Sequence, residues 1–366
     1  MKKSLIALAV LSAVAGAAQA QSSVTVYGLV DMGLQRQEIG ATRANGATPA
    51  TASSTTTALD SGNQSGSRLG FKGSEDLGGG LKANFKLEMG VFADTGASQG
   101  GKTFGRQSYV GLSGDFGAVN FGRQYTPMFI AVDSFDPFST GMTSGTAGSS
   151  TSTFGAAAYF EPNVVGPRKD NSVTYSTNDL GGFTANLMYG MGNETPGNNQ
   201  SGRYLSMSAA YTAGPLFLTG VYSDSQAASG KFATRSSLFA ATYDFSVVKL
   251  AGAYSYIKDE GTTLVALKRD VYSIGATVPV GAAGNFLVNY ITTKNKNHEI
   301  ADADASQAAI GYTHSLSKRT NIYTSYSYDR NGMGANFGSA DSTPTFHPVA
   351  GGATIKMFNV GIRHMF

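Results

Sequence analysis

One short segment carries residue types that could do chemistry. Gly96–Thr103 matches G-x4-G-K-[ST], the pattern in which backbone amides cradle the phosphates of a nucleotide. The same segment begins with G-x-S-x-G, which would make Ser98 the nucleophile of a hydrolase. Both patterns require a helix after the segment, whereas Phe104–Tyr109 continues in a β pattern. We therefore predict neither nucleotide binding nor hydrolysis at this segment.

Other reactive residue types are scarce. The 366 residues include no Cys and four His, without an H-E-x-x-H spacing, so neither a thiolate site nor a metal centre is expected. We find no partners for a catalytic triad, and we predict that the chain is not an enzyme and needs no cofactor. Charged residues are 14% of the chain, with 27 Lys+Arg against 24 Asp+Glu. This near balance argues against nucleic acid as a partner.

The first twenty residues have the features of an export signal. Lys2 and Lys3 are followed by an apolar stretch, Leu5–Ala18, and by an A-x-A cleavage site that ends at Ala20. We predict that residues 1–20 form a cleaved signal peptide and that residues 21–366 form one β-barrel domain. Loss of two Lys leaves 25 basic and 24 acidic residues, a net charge of +1.

The rest of the chain repeats runs of alternating apolar and polar residues. Leu81, Phe85 and Leu87 alternate with Lys86 and Glu88, and residues two apart share one face of a strand. Elsewhere the polar positions are often Ser, Thr, Asn or Gly rather than charged residues. This pattern is typical of a barrel with lipid outside and water inside.

Connection lengths predict the strand number. Seven short turns alternate with eight longer Gly-, Ser-, Thr- and Asn-rich connections, the first of which is Ile39–Gly66, so fifteen connections join sixteen strands. An even number of strands returns both termini to the periplasmic side. We predict an all-β fold, a transmembrane antiparallel β-barrel of 16 strands.

The third long connection, Pro127–Lys169, is the longest. Phe129 and Phe135 lie near its start, and Tyr159 and Phe160 lie near its end. Because these aromatic residues give the connection something to bury, we predict that it folds into the barrel.

Strand parity predicts which basic residues point inward. In the run SRLGFKG the Leu and the Phe take the lipid face, which leaves Arg68 and Lys72 in the lumen. In GRQSYVGL, Tyr109 on the lipid face would turn Arg106 inward. Arg123 shares the parity of an apolar neighbour, so its direction stays open.

The chain resembles the general diffusion porins of the Gram-negative outer membrane. Five segments carry the resemblance in order along the whole mature chain: Val24–Leu34, Ser67–Glu88, Arg106–Tyr125, Asn171–Gly190 and Phe358–Phe366. The Gly-rich turns and the YG of the opening strand are most similar to porins of beta-proteobacteria. The resemblance implies a homotrimer whose third long loop forms a constriction in a water-filled channel. Small hydrophilic solutes and ions would diffuse through it passively.

The resemblance also implies which residues form the constriction. The acidic side falls on the third loop, at Asp133, Asp136 and Glu161. On the barrel strands the resemblance places bases at Arg68, Arg106 and Arg168. Strand parity adds Lys72, and Arg123 is a further candidate for this predicted basic wall. Because the bases outnumber the acids, we expect a weak preference for anions. Enterobacterial members often have a Lys where this chain has Leu29, so the basic wall is either shorter or completed from a residue such as Arg36.

The last strand and the cellular setting complete the expectations. Phe366 ends an alternating strand and is predicted to be an assembly signal for the outer membrane. Outer-membrane lipid, lipopolysaccharide and the barrel assembly machinery are the expected partners. Two alternatives stay open, a substrate-specific channel with 18 strands and a barrel that acts mainly as an adhesin or receptor.

Overall fold

A computed structural model describes most of residues 23–366. The described residues are 23–41, 52–143, 159–160, 166–192, 201–227, 232–260, 267–297, 302–335 and 352–366. The predicted signal peptide, residues 1–20, lies outside the described residues.

The described residues are mainly β-strand. The strands are β1 Ser23–Ile39, β2 Ser54–Ser61, β3 Arg68–Gly78, β4 Leu81–Gly90, β5 Gln107–Gly114, β6 Gly117–Tyr125, β7 Arg168–Ser176, β8 Phe183–Gly190, β9 Tyr204–Ala213, β10 Leu216–Gln226, β11 Ala233–Asp244, β12 Lys249–Asp259, β13 Leu267–Val280, β14 Gly284–Asn295, β15 Ala305–Ser315, β16 Thr320–Asn331 and β17 Thr354–Met365. Helix α1 spans Pro127–Phe135, and a 3-10 turn spans Gln99–Gly101. Within the described ranges, no helix is long and apolar enough to cross a membrane.

The strands form one closed antiparallel barrel. From β3 to β17 each strand pairs with the next, and β17 pairs with β1 from Leu29↔Met365 to Ile39↔Ile355. Strands β2 and β3 both pair with β1, β2 along its second half and β3 along its first half. These two segments therefore share one position in the wall, and the described part of the chain forms a 16-stranded barrel. The predicted fold is confirmed, and the alternative of 18 strands is wrong.

The prediction for the first long connection is partly wrong. Residues 39–66 were expected to form a loop throughout, but Ser54–Ser61 is strand β2. Its sequence, STTTALDS, has little apolar alternation, and its strand conformation comes from pairing with β1. The strand conformation of such a segment is set by its partner strand, because strand formation depends strongly on contacts with cross-strand residues.

The two faces of the wall differ as the alternation predicts. In β11, Phe239 is exposed on the outside, while its neighbours Leu238 and Ala240 are buried inside. Exposed apolar side chains recur around the outer face, among them Val26, Leu34, Val110, Phe121, Leu187, Ile274, Ile310 and Ile362. Such a continuous apolar band fits the hydrocarbon of a membrane.

Tyr and Phe supply the aromatic residues near the rim of short turns. Ring pairs Phe183–Tyr211, Tyr243–Phe245 and Phe286–Tyr312 have centroids 4.4, 4.5 and 4.9 Å apart. With no Trp in the chain, these rings take the interfacial positions that aromatic girdles occupy in barrels.

Gly96–Thr103 has no nucleotide-binding geometry. Ser98 forms a β-bridge with Val91, and the 3-10 turn is followed by strand β5. The segment is thus followed by a strand and not by the α-helix that both sequence motifs require.

Candidate functional site

The third long loop, residues 126–167, enters the barrel as helix α1. The Thr126 hydroxyl accepts a hydrogen bond from the Phe129 amide at 3.2 Å, and Pro127 takes the first helical position, where no amide hydrogen is needed. One face of α1 packs on lumen-facing side chains of β10 to β14. This buried cluster joins Met128, Ala131, Val132 and Phe135 to Val221, Leu238, Ile257, Val271 and Ile291.

The far end of the loop joins the same cluster. Tyr159 and Phe160 are buried, and the Phe160 ring meets the Phe135 ring edge to face at 5.3 Å. Aromatic residues at both ends of the loop therefore hold its described part inside the barrel, as predicted.

Asp136 fixes the loop beyond α1. Its Oδ1 accepts hydrogen bonds from the Phe138 amide at 3.2 Å and from Asn289 Nδ2 of β14 at 3.1 Å, and its Oδ2 accepts from the Thr140 amide at 2.9 Å. The Ser325 hydroxyl of β16 donates to the Met142 carbonyl at 2.6 Å. The loop is thus attached to the lumen face of two strands.

Opposite α1, three arginines lie together, and two of them donate to one tyrosine hydroxyl. Arg106 Nη2 lies 2.6 Å from the Tyr125 hydroxyl, and Arg168 Nη2 lies 2.8 Å from it. The Arg168 guanidinium also lies over the Tyr125 ring, 4.5 Å from its centroid. Arg68 stands beside them, with its Nε donating to the Gly66 carbonyl at 2.9 Å.

Arg106 points inward for a different reason from the one expected. Tyr109 pairs with Lys86 on the lumen face, so the prediction that Tyr109 faces lipid is wrong. Glu88 is the register partner of Gln107, and its carbonyl also accepts the Arg106 amide at 3.1 Å. Two consecutive residues therefore oppose one, which is the arrangement of a β-bulge. The bulge turns Arg106 into the lumen although strand parity points it outward.

Glu88 partly neutralises the basic wall. Arg106 Nε donates to Glu88 Oε1 at 2.9 Å, and the two side chains are 5% and 2% exposed. The Tyr27 hydroxyl donates to Glu88 Oε2 at 2.8 Å. Among the three arginines, Arg68 and Arg168 have no carboxylate partner within the described residues.

The arginines and α1 enclose a cavity of about 280 Å³. Bases line one side, and Phe129, Asp133 and Thr140 of the loop line the other. Asp133 is exposed to this cavity, and its Oδ1 accepts from the Thr140 hydroxyl at 3.3 Å. Full burial of Asp136 raises the pKa of its carboxyl to about 6, against the opposing effect of its hydrogen bonds. Partial desolvation raises the pKa of Asp133 as well.

The remaining predicted residues lie elsewhere. Arg123 Nη1 pairs with Asp170 Oδ1 at 2.6 Å, and Arg123 does not line the cavity. Lys72 faces the lumen nearer the short turns, with its Nζ 5.4 Å from the centroid of the Tyr27 ring. Arg36 lies on the outward parity and pairs with Glu38, so it does not complete the basic wall.

The last two predicted residues are Glu161, near the end of the third loop, and Phe366, at the end of the last strand. Glu161 lies outside the described residues. The Phe366 backbone exchanges two hydrogen bonds with Gly28, at 3.1 and 3.2 Å, which extends the seam between the first and last strands.

Three further residues belong to the site without having been predicted from the sequence. Glu88 and Tyr125 are the partners of the arginines, and Arg363 of β17 points into the lumen, where its Nε donates to Asn321 Oδ1 at 3.0 Å. Arg363 alternates with outward residues such as Ile362, so parity of the last strand could have found it. The pairing of Arg106 with Glu88 depends on the bulge and had no local signal.

Comparisons with known proteins agree with this geometry. Residues 7–334 match the family described as Gram-negative porin. Outer membrane porin protein 32 of Delftia acidovorans is 37% identical over 370 residues, covering 100% of both chains. The structure of an anion-selective porin from Comamonas acidovorans has a TM-score of 0.75 at 31% identity, covering 94% of this chain and 100% of that one. These relatives confirm the resemblance to beta-proteobacterial porins.

A more distant structure shares the fold alone. The trimer form of OmpT, an outer membrane protein of Vibrio cholerae, has a TM-score of 0.66 at 16% identity and covers 94% of this chain and 99% of that one. Together with the family match, the closed barrel and the charged cavity in its lumen lead to one conclusion: the chain belongs to the Gram-negative porin family, as a non-enzymatic general diffusion channel of the outer membrane.

Proposed function

We propose that this porin passes small anions more readily than cations, and that Arg68, Arg106 and Arg168 set that preference. The observation that carries the proposal is that Arg68, Arg106 and Arg168 line one cavity beside Tyr125, where Asp133 is the one carboxylate among the described lining residues. The porin of Comamonas acidovorans, described as anion-selective, supports the same sign.

The geometry favours anions through the field across the aperture. Glu88 offsets the charge of Arg106, which leaves Arg68 and Arg168 to act on the passing ion. Charges that face a narrow, partly dehydrated passage are screened less than charges at an open surface. The attraction of these two bases stabilises a small anion while it sheds part of its hydration shell. A cation is repelled by the same two bases.

The reversal potential in a KCl gradient tests this assignment. The double variant Arg68→Gln, Arg168→Gln is expected to lose most of the anion preference. The double variant Lys294→Gln, Arg235→Gln is the control, because it removes the same charge from exposed ion pairs near the long loops. An unchanged reversal potential in the first variant, or an equal shift in both, would contradict the role of the arginines.

We further infer that the mature protein is a homotrimer that contacts outer-membrane lipid and lipopolysaccharide. The trimer form of the distant Vibrio cholerae structure supports this assembly, as does the family resemblance. Native mass spectrometry of protein extracted from membranes should give three times the mass of residues 21–366, which also tests cleavage after Ala20. A monomer would contradict the assembly, and a mass that retains residues 1–20 would contradict the signal peptide.

Phe366 is proposed as the signal that the barrel assembly machinery reads. Its terminal position on an alternating strand supports this role. Phe366→Ala should reduce the amount of porin in the outer membrane during expression in cells, while refolding of the purified chain in detergent should change less. Equal losses in both settings would show that the residue acts on barrel stability instead.

A further inference from the structure

Within the described ranges, the wall of the barrel is interrupted between β2 and β3. Met32 pairs with Ser61, and Leu29 pairs with Arg68. The two residues of β1 between these pairs therefore face six residues, Gly62–Ser67, so four residues are additional to a regular strand. We call Gly62–Ser67 the inner segment.

The inner segment projects into the lumen and is anchored on Asp31 of β1. Asp31 is fully buried, and its Oδ2 accepts hydrogen bonds from the amides of Gln64 at 2.8 Å and Ser65 at 2.6 Å. The Ser67 hydroxyl donates to the Asp31 carbonyl at 3.2 Å. A carboxylate that accepts two backbone amides holds a short segment in one conformation.

Tyr323 of β16 reaches Asp31 across the seam of the barrel. Its hydroxyl donates to Asp31 Oδ1 at 2.5 Å, although β17 lies between β16 and β1. Gly361 of β17 and Gly33 of β1 stand in register with Tyr323, and a Cβ at either position would collide with its hydroxyl or with the backbone. The two glycines thus leave the space through which the tyrosine crosses.

The inner segment also contacts the part of the third loop that follows α1. The Met142 amide donates to the Asn63 carbonyl at 2.6 Å, and Gly141 lies against the Gln64 carbonyl. Arg363 Nη1 donates to the Ser65 hydroxyl at 2.9 Å, which adds a contact with β17. The loop is therefore held at the lumen face by the wall on one side and by the inner segment on the other.

The inner segment lies at the narrow part of the lumen that the arginines line. Gln64 and Ser65 line the cavity of the arginines, and they also line a second cavity of about 260 Å³ that contains Arg363. Ser139 of the third loop borders both cavities too. Where the inner segment and the third loop meet, they separate the two spaces.

We propose that the inner segment is a second element of the pore constriction, and that Asp31 and Tyr323 are the positioning residues that fix it. The third loop narrows the lumen from the side of β9 to β16, and the inner segment narrows it from the side of β1 and β3. This inference rests on the channel function but not on the sign of its ion selectivity.

Deletion of Asn63–Gly66 is the direct test. The deletion leaves Gly62 and Ser67 opposite the two residues of β1 that face the inner segment, so that β2 and β3 can join into one strand in register. We expect liposomes with this variant to take up neutral sugars larger than those the wild-type protein admits, and single-channel conductance to rise roughly twofold as the cross-section widens. Neutral sugars report the size of the aperture independently of its charge.

A second variant keeps the test decisive if the deletion protein does not fold. Tyr323→Phe removes only the hydroxyl that reaches Asp31, changes no charge, and should raise the sugar size limit in the same direction by a smaller step. Tyr254→Phe is the matched control, because it removes a hydroxyl that donates to Asp270 at 3.1 Å, away from the inner segment.

The outcomes separate the proposals. If folded Tyr323→Phe protein or the folded deletion protein admits only sugars up to the same size as the wild-type protein, the proposed role of the inner segment is wrong. An equal change in Tyr254→Phe would mean that barrel stability, and not aperture size, had changed. If liposomes that contain the wild-type protein exclude all sugars, the result would instead contradict the channel function.

Discussion

At the scale of single residues, Tyr125 explains how like charges come together in the site. Its hydroxyl accepts from Arg106 and Arg168, and its ring lies under the Arg168 guanidinium. Glu88 supplies the opposite charge at 2.9 Å from Arg106 Nε. Hydrogen bonding and one ion pair thus offset the repulsion between neighbouring bases, and two of the three positive charges stay available to solutes.

Glu88→Gln tests this balance. Loss of the carboxylate leaves the buried Arg106 without its charged partner, which typically costs about 3–5 kcal/mol for a buried pair. We expect a lower melting temperature by circular dichroism together with a stronger anion preference in the KCl gradient. Glu75→Gln, a carboxylate near the short turns on β3, is the control. A weaker anion preference in Glu88→Gln would contradict the assigned balance.

The sequence could predict some of these residues and not others. Arg68 and Lys72 follow strand parity, and the structure places both in the lumen. The sequence predicts the inward direction of Arg106 only through a lipid-facing Tyr109, whereas the bulge opposite Glu88 is what turns Arg106 inward. A bulge changes parity without any local signature here, because it depends on how a distant strand pairs.

At the scale of elements, the third loop carries a carboxylate whose pKa is raised by burial. Burial raises the pKa of Asp136 to about 6, above the ordinary value near 4 of an unfolded chain. The folded state therefore binds this proton more tightly, and the contribution of Asp136 to stability increases as pH falls from about 6 towards 4. Protonation also removes a negative charge beside the aperture.

Acidification should therefore strengthen the anion preference. The reversal potential measured at pH 7 and pH 5 should differ in the wild-type protein, and the difference should shrink in Asp136→Asn. Asp133→Asn should act in the same direction, because the pKa of Asp133 is raised too. Asp179→Asn, in a short turn, is the control, and a pH effect that is undiminished in Asp136→Asn would rule out this residue as its source.

The elements themselves were largely predictable, and the inner segment was not. Alternation and turn residues predicted the strands from β4 to β17 because those strands pair with chain neighbours through short or long hairpins. Gly62–Ser67 has the composition of a turn, and only the register of β1 reveals that it interrupts a strand. Folding of the third loop into the lumen was predictable from its aromatic ends.

At the scale of the whole molecule, closure depends on the contact between the first and last strands. A Cβ at Gly28 would lie 2.5 Å from both the Arg68 carbonyl oxygen and the Phe366 ring. Gly28→Ala should therefore destabilise the closed barrel by about 1–3 kcal/mol, as overpacking typically does. Gly252→Ala is the control, since its Cβ would meet nothing nearer than 4.0 Å. Thermal unfolding in detergent compares the two variants, and equal melting temperatures would contradict the need for glycine at position 28.

The whole barrel is an open, water-filled pore, and we propose that its aperture carries excess positive charge. Single-channel recording of purified wild-type protein in a planar bilayer under a KCl gradient tests it most directly. We expect conductance steps in groups of three and a reversal potential of the sign that chloride permeation gives. Absence of conductance, or a reversal potential of the sign that potassium permeation gives, would contradict it.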